Sequence, residues 1–429
     1  MRLGRSRAKR PHKYKEEVMK PRVLIMSIVL LLLFSTAVAF GASKKEKKVK
    51  VRFMAALYSE ATTPFWNDVI AAFEKEYPNI EIELDVVHWD NVYQKTTTLI
   101  SAKQEPDILN TDTILVQYAA GGLLEPLDGY MSAEFKDQFI PSMLKSGLYD
   151  GKIQALPYIS SVRALFYNMD VLEKANVKPP KNWDELVRVA KAINNPPDFY
   201  AFGMPIENFE GQAYISYFLW AAGGEWVDAN GKCIVNSEAG LRALNFAKDL
   251  VQKHKVVYPP WSTMNRDETQ KAMTAGKVGM LMTASFFPAV AKADNPNFRL
   301  GAVPIPGDKE QYNLGVVDSL MIFKRSKCKK EAFEFLKYYY RDQWHKRVCL
   351  EEGVLPVTKT VSKSLESDPG LGPFIKMLPQ ARFYPLHPKW EPMVLEVIKA
   401  WQVAILGEKD AKKALDDAAE KINNEIIKK

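Results

Sequence analysis

Five carboxylates are candidates for acid chemistry: Glu60, Asp112, Glu210, Glu225 and Asp318. Two of them flanking a glycosidic bond could cut it, which makes a glycoside hydrolase one reading of the set. The same groups could instead grip hydroxyls without reacting. Beside them stand Trp66, Trp220, Trp226, Trp261, Phe286, Tyr384 and Trp390. A polyhydroxylated ring offers apolar C–H faces to such aromatics, and a rim of hydroxyls to carboxylates, amides and Arg. Core packing explains any one aromatic at least as well, and Trp220, inside an apolar run, is read as core. Arg163 could hold hydroxyls, a carboxylate or a phosphate. Its bland alternative is an ion pair with Asp318 or Asp112.

Other chemistries find no support. The sequence has no Gly-x-Ser-x-Gly elbow, His-Glu-x-x-His, Walker loop or Gly-x-Gly-x-x-Gly. His88, His254, His345 and His387 are scattered without ligand spacing, so no metal and no cofactor is expected. Cys233, Cys328 and Cys349 form no Cys-x-x-Cys. Cys328 and Cys349 could pair in an oxidising compartment, or all three thiols could be buried and free.

The formal charge of +8 suggests nucleic acid until it is located. Residues 1–42 hold nine Lys/Arg and two Glu, a net +7, which leaves +1 for the rest. A near-neutral body has no field to hold polyphosphate, so nucleic acid is not an expected partner. The leader reads differently. Lys20-Pro21-Arg22, the apolar run Val23 to Phe34, and Ala37-Val38-Ala39 follow the order of a cleaved signal peptide. No Cys follows the run to carry a lipid, and a retained membrane anchor is the alternative. The expected location is periplasmic or extracytoplasmic.

The elements that position these residues alternate. Val51–Leu57 reads as a strand, Pro64–Tyr77 as a helix, Ile80–Val87 as a strand, Asp90–Ala102 as a helix and Asp107–Leu109 as a strand. That rhythm implies a parallel sheet with right-handed crossovers, and ligands gather beyond the carboxyl ends of such strands. Tyr58, Glu60, Trp66, Trp89 and Asp112 fall there. Ala155–Asp170 then carries a β-favouring run, Val162 to Tyr167, expected to pass from one compact unit into another. At 429 residues, two domains are the prior. Asn182 can cap a helix over 183–193, with Glu185 reaching back, and Trp183 reads as packing. The end, 408–427, reads as an amphipathic helix.

Several stretches together carry a resemblance. Phe65-Trp66-Asn67-Asp68, then Ala72 to Ile82, resemble the opening of extracellular solute-binding proteins of ABC importers, the maltose-binding-like group. Pro106-Asp107-Ile108, Gly121 to Asp128, Leu165 to Leu172 and Pro179 to Leu186 continue it in the family's order. The resemblance implies an α/β, two-lobed periplasmic-binding-protein fold of type II, each lobe a mainly parallel sheet flanked by helices, with the ligand between. It implies lobe 1 over 50–160, lobe 2 over 161–282, a return to lobe 1 over 283–318, and lobe 2 again over 319–429. Crossings and hinges are expected near Tyr158–Val162, Met282–Ser285 and Val317–Leu320.

By this resemblance the chain is no enzyme. It is a monomer that closes on a sugar or oligosaccharide and docks on a permease. Tyr58, Glu60, Trp66, Asp112, Arg163, Glu210, Trp226, Trp261, Phe286, Asp318, Tyr384 and Trp390 are the expected ligand contacts. Phe286 falls just past a crossing, where the maltose-binding member carries a stacking Trp. At Arg163 that member has an acid instead, which separates this chain from maltose specificity. An anionic solute, such as a glycerol phosphate or a uronate, is therefore the second ligand class.

Overall fold

The computed structural model describes residues 48–112, 114–208 and 210–428. The leader expected at 1–42 lies outside the described residues. Among them no helix is long and apolar enough to cross a membrane.

β1 (Val49–Leu57), β2 (Ile80–His88) and β3 (Ile108–Thr111) are parallel, with β1 in the middle. The helices between them are Thr62–Glu76 and Trp89–Ser101, close to the expected bounds. A hairpin follows, β4 (Leu148–Tyr149) and β5 (Lys152–Ile153). Its turn places Asp150 and Gly151 at φ 49° and 70°. Asp-Gly suits the two positive-φ positions of such a tight turn.

β6 (Leu156–Asn168) is the long strand on which the sheet is organised. β7 (Tyr200–Gly203), β8 (Val278–Ala284), β9 (Leu300–Val303), β10 (Asn313–Ile322) and β11 (Ala381–Arg382) complete it. Among the described residues the order is β2-β1-β3-β10-β6-β8-β7, with β9 on β6 and β11 on β10. The first half of β6, Leu156 to Val162, pairs antiparallel with β10. From Arg163 onward it pairs antiparallel with β8, and from Leu165 with β9. The partner exchange therefore falls between Val162 and Arg163.

Two further segments meet β6 beside that exchange. The Ser285 N–H donates to the Val162 carbonyl at 2.8 Å. Ser160 exchanges backbone hydrogen bonds of 2.9 and 2.7 Å with Leu355, a late contact that the sequence did not suggest. On β10 the register slips between Asp318 and Ser319, where the partner strand steps from Ile159 to Pro157. Pro157 has no N–H to give the ladder. The extra, unpaired residue is Tyr158 on β6, and a bulge there bends that strand opposite Asp318.

The later segments divide between the two halves of the sheet. Within 283–318, β9 joins the C-terminal half of β6, while β10 pairs with β3 and the N-terminal half of β6. The helix that follows β10 packs against β1. Phe335, on the helix Lys329–Tyr339, meets Phe53 at 5.8 Å and Phe73 at 5.2 Å. The later helices Trp390–Leu406 and Ala411–Lys421 sit with the second half, the latter through Asp416 to Asn236 and the Asn423 turn to Cys233. There Gln252 donates to the Ile405 carbonyl and Gln402 to the Ile206 carbonyl, both at 2.7 Å. An amphipathic helix shows in sequence which of its faces is buried but not which sheet that face covers.

Local signals held well. Asn182 accepts from the Glu185 N–H at 2.9 Å and opens the helix Trp183–Ile193, while the Glu185 carboxylate reaches Lys181 N–H, one residue before the expected target. Trp183 stacks on Phe246 at 4.0 Å and 8°. Ala411, Ala414, Leu415, Ala418 and Ile422 are buried along the terminal helix. The three cysteines are buried free thiols, so no Cys328–Cys349 bridge exists. Cys328 donates instead to the Lys50 carbonyl at the head of β1.

Candidate functional site

Where β6 changes partners, charged and hydroxyl groups from separate elements converge. Arg163, 5 % exposed, places its Nε 3.7 Å from Glu210, which is 4 % exposed. Arg266, at the start of the helix Arg266–Thr274, reaches the other oxygen of Glu210, also at 3.7 Å. Its guanidinium lies 5.2 Å over the Phe286 ring. One carboxylate thus faces two guanidiniums, and the expected Arg163 pair with Asp318 or Asp112 gives way to Glu210. The separations are those of charge pairs without hydrogen bonds: Arg163 Nε and Glu210 Oε1 are both buried and lack a hydrogen-bond partner. Such orphaned polar atoms are costly unless something supplies the missing partner.

On the other side, the Tyr58 hydroxyl donates to Asp318 at 2.8 Å and lies 3.2 Å from the Asn110 amide oxygen. Tyr58 stands past the carboxyl end of β1, and its ring meets Trp89 edge-on at 5.5 Å. Asp112 accepts from the Tyr93 hydroxyl. Burial first, and Asp112 second, push the Asp318 carboxyl up to about 7, while Tyr58, Arg163 and Arg266 pull it the other way. Glu391, in the first turn of Trp390–Leu406, is pushed up to about 7 by burial and then by Asp112. For Arg163 burial opposes the charge most, yet Glu210 with Tyr217, Tyr384 and Asp318 together hold the pKa above its usual value.

The expected residues sort by surroundings. Tyr58, Asp112, Arg163, Glu210 and Asp318 belong to one electrostatic cluster. Phe286, half-buried, joins it through Arg266. Tyr384 also joins, since Arg163, Glu210 and Tyr217 all act on its hydroxyl. Trp66 does not. It is fully buried between Phe53, Phe65, Tyr158 and Tyr339, at ring distances of 4.7 to 5.6 Å. Trp226 is also fully buried and donates its indole N–H to Ser216 at 2.9 Å. Trp390 packs on it at 4.9 Å and is itself buried. Trp261 is buried behind the Ile206–Trp261 backbone contact. Glu225 is taken by Arg382, and Glu60 is exposed on its loop.

Four members were not on the expected list: Tyr93, Tyr217, Arg266 and Glu391. Each sits on a helix where only tertiary contact reveals its role. The one available signal was helix position, because Arg266 follows the Asn265 cap and Glu391 opens a helix.

A crossing strand with a charged, hydroxyl-lined cluster at its partner exchange defines a two-lobed α/β binding protein. A family model, bacterial extracellular solute-binding protein, matches residues 59–346, and the chain belongs to that family. A Brucella abortus (strain 2308) relative, itself named only as a binding protein, is 36% identical over 391 residues, covering 89% of this chain and 94% of its own. The diacetylchitobiose binding protein DasA of Streptomyces coelicolor is 25% identical over 380 residues, covering 85% of this chain and 86% of its own. Among solved structures, an ABC transporter solute-binding protein of Thermotoga lettingae bound with alpha-D-tagatose superposes with a TM-score of 0.80. That pair is 25% identical, with 88% of this chain and 99% of the other covered.

Proposed function

We propose that the protein is the solute-binding component of an ABC importer that captures a sugar or oligosaccharide between two lobes and hands it unchanged to a membrane permease. The observation that carries this is the cluster at the Val162/Arg163 exchange, where the buried Arg163 Nε and Glu210 Oε1 face each other at 3.7 Å without a hydrogen bond. A saccharide hydroxyl both donates and accepts, so one hydroxyl near the pair could serve both atoms. Phe286 and Trp89, both half-buried, are the rings positioned to take a sugar face.

From strand pairing we assign 49–162 and the segment around 314–360 to lobe 1, with 163–312 and 381–428 in lobe 2. Closure turns on the backbone at Ser160–Arg163, Ser285, Val317 and Leu355. Only the difference in the solute's affinity for the closed and open forms drives it. The protein acts as an exported monomer. The DasA and tagatose-bound proteins, both named for saccharide ligands, support a carbohydrate over a phosphate or uronate.

Scanning calorimetry of the mature protein against sugars, sugar acids and sugar phosphates tests the reading, since a bound solute raises the melting temperature by mass action. A rise with neutral or amino sugars, and recovery of the intact sugar, is expected. A rise only with acidic solutes, or cleavage of the sugar, would contradict it.

A further inference from the structure

Charge is spread unevenly along the chain. Residues 44–50 hold five Lys and one Glu, and residues 324–330 hold Lys324, Arg325, Lys327, Lys329 and Lys330 with no acid. Together they carry a net +9, so the remaining residues beyond the leader sum to −8. The fold brings the head of β1 and the 324–330 turn to one place. β10 runs antiparallel to β3 and delivers the turn there, where Cys328 Sγ meets the Lys50 carbonyl at 3.4 Å. The loop before β3 joins them, because the Arg325 Nε lies 3.1 Å from Glu105.

Three of these cations have acidic partners: Lys50 pairs with Glu83, Arg325 with Glu105 and Lys329 with Glu125. Lys48, Lys103, Lys324, Lys327 and Lys330 are exposed, and among the described residues none has a carboxylate within 4 Å. Lys329 and Lys330 also stand in the first turn of the helix Lys329–Tyr339, where the helix dipole favours acids and only Glu331 follows that preference. A local rule broken on an exposed surface points to a use outside the fold. The nine residues of β1 separate this basic end from the solute cluster at Tyr58 by about 30 Å. Screening at physiological salt acts within about 8 Å, so these cations do not serve the solute.

Taking the protein as exported, as above, we propose that the basic end of lobe 1 lies against anionic phospholipid headgroups and holds the protein at the bilayer that carries its permease. The rest of the body is net negative and is repelled by such a surface, so only this end can face it. The carboxyl end of β1, with the solute cluster, then points away from the lipid. Each exposed Lys near an anionic leaflet tightens attachment about fivefold, and the attraction fades within a Debye length.

Co-sedimentation of the mature protein with vesicles tests this, using phosphatidylcholine alone or with about one-third phosphatidylglycerol. The expected result is attachment to the anionic vesicles at low salt, release at about 0.5 M salt, and none to phosphatidylcholine. The triple variant Lys324→Glu, Lys327→Glu, Lys330→Glu should attach at least tenfold more weakly. It should fold, since an acid at position 330 suits a helix start, and its sugar-dependent rise in melting temperature should match wild type. Equal attachment of the two proteins, attachment to phosphatidylcholine as strong as to the anionic vesicles, or attachment to neither overturns the inference and leaves the solute reading intact.

Discussion

Asp318 carries a cost that the sheet imposes. Beside the β6 bulge, burial and then Asp112 raise the Asp318 carboxyl pKa from 3.8 to about 7. The folded protein therefore holds this proton where the unfolded chain has released it. By linkage, this group costs stability progressively as pH rises from about 3.8 to 7, and the cost is constant above that. Asp318→Asn is expected to raise the melting temperature of the ligand-free protein at pH 8, with little change at pH 4, read by calorimetry as the difference from wild type. Two tryptophans separate packing from binding in the same way. Trp66→Ala should cost about 3–5 kcal/mol in denaturant unfolding and leave affinity within about twofold. Trp89→Ala should weaken sugar binding severalfold and leave stability almost unchanged. An unaltered affinity in the Trp89 variant would remove that ring from the site.

The spacing in the first helix already told where Trp66 points. Val69 and Phe73 follow Trp66 at intervals of three and seven residues and are buried with it and Phe65, the signature of a core stripe. Its place near the end of β1 drew it into the candidate set against that signal. Strands, helices and caps were legible because period and capping chemistry are local. The partners of β9 and of the amphipathic helix Lys329–Tyr339 were not, since a buried face alone does not name the sheet half it meets. Arg266, Tyr93 and Glu391 were invisible for the same reason: they reach the cluster only across long stretches of chain.

Among elements, β10 is closely constrained beside the exchange point. Gly315 lies opposite Val162, and a Cβ there would stand 2.6 Å from the Phe383 ring and 3.0 Å from Ala381. Glycine lets the β11 segment lie close against the exchange point. Gly315→Ala should destabilise the protein by about 1–3 kcal/mol through overpacking. It should also lower affinity, because the shift is passed to the register beside Asp318. Unchanged stability in urea would show that Phe383 yields freely and that the contact sets nothing.

For the whole molecule, the account joins one exchange point to one act of capture. β6 is a single strand shared by both sheet halves, and the proposed closure turns on the few backbone links around Val162, Ser285 and Leu355. Arg163 is the first residue beyond the exchange and is centred in the charged cluster. The most direct test is isothermal titration of wild type and Arg163→Ala with the sugar that most raises the melting temperature. The account predicts one site per chain in wild type and at least a hundredfold loss in the variant, with folding retained by circular dichroism. Equal affinity of the two proteins would contradict it.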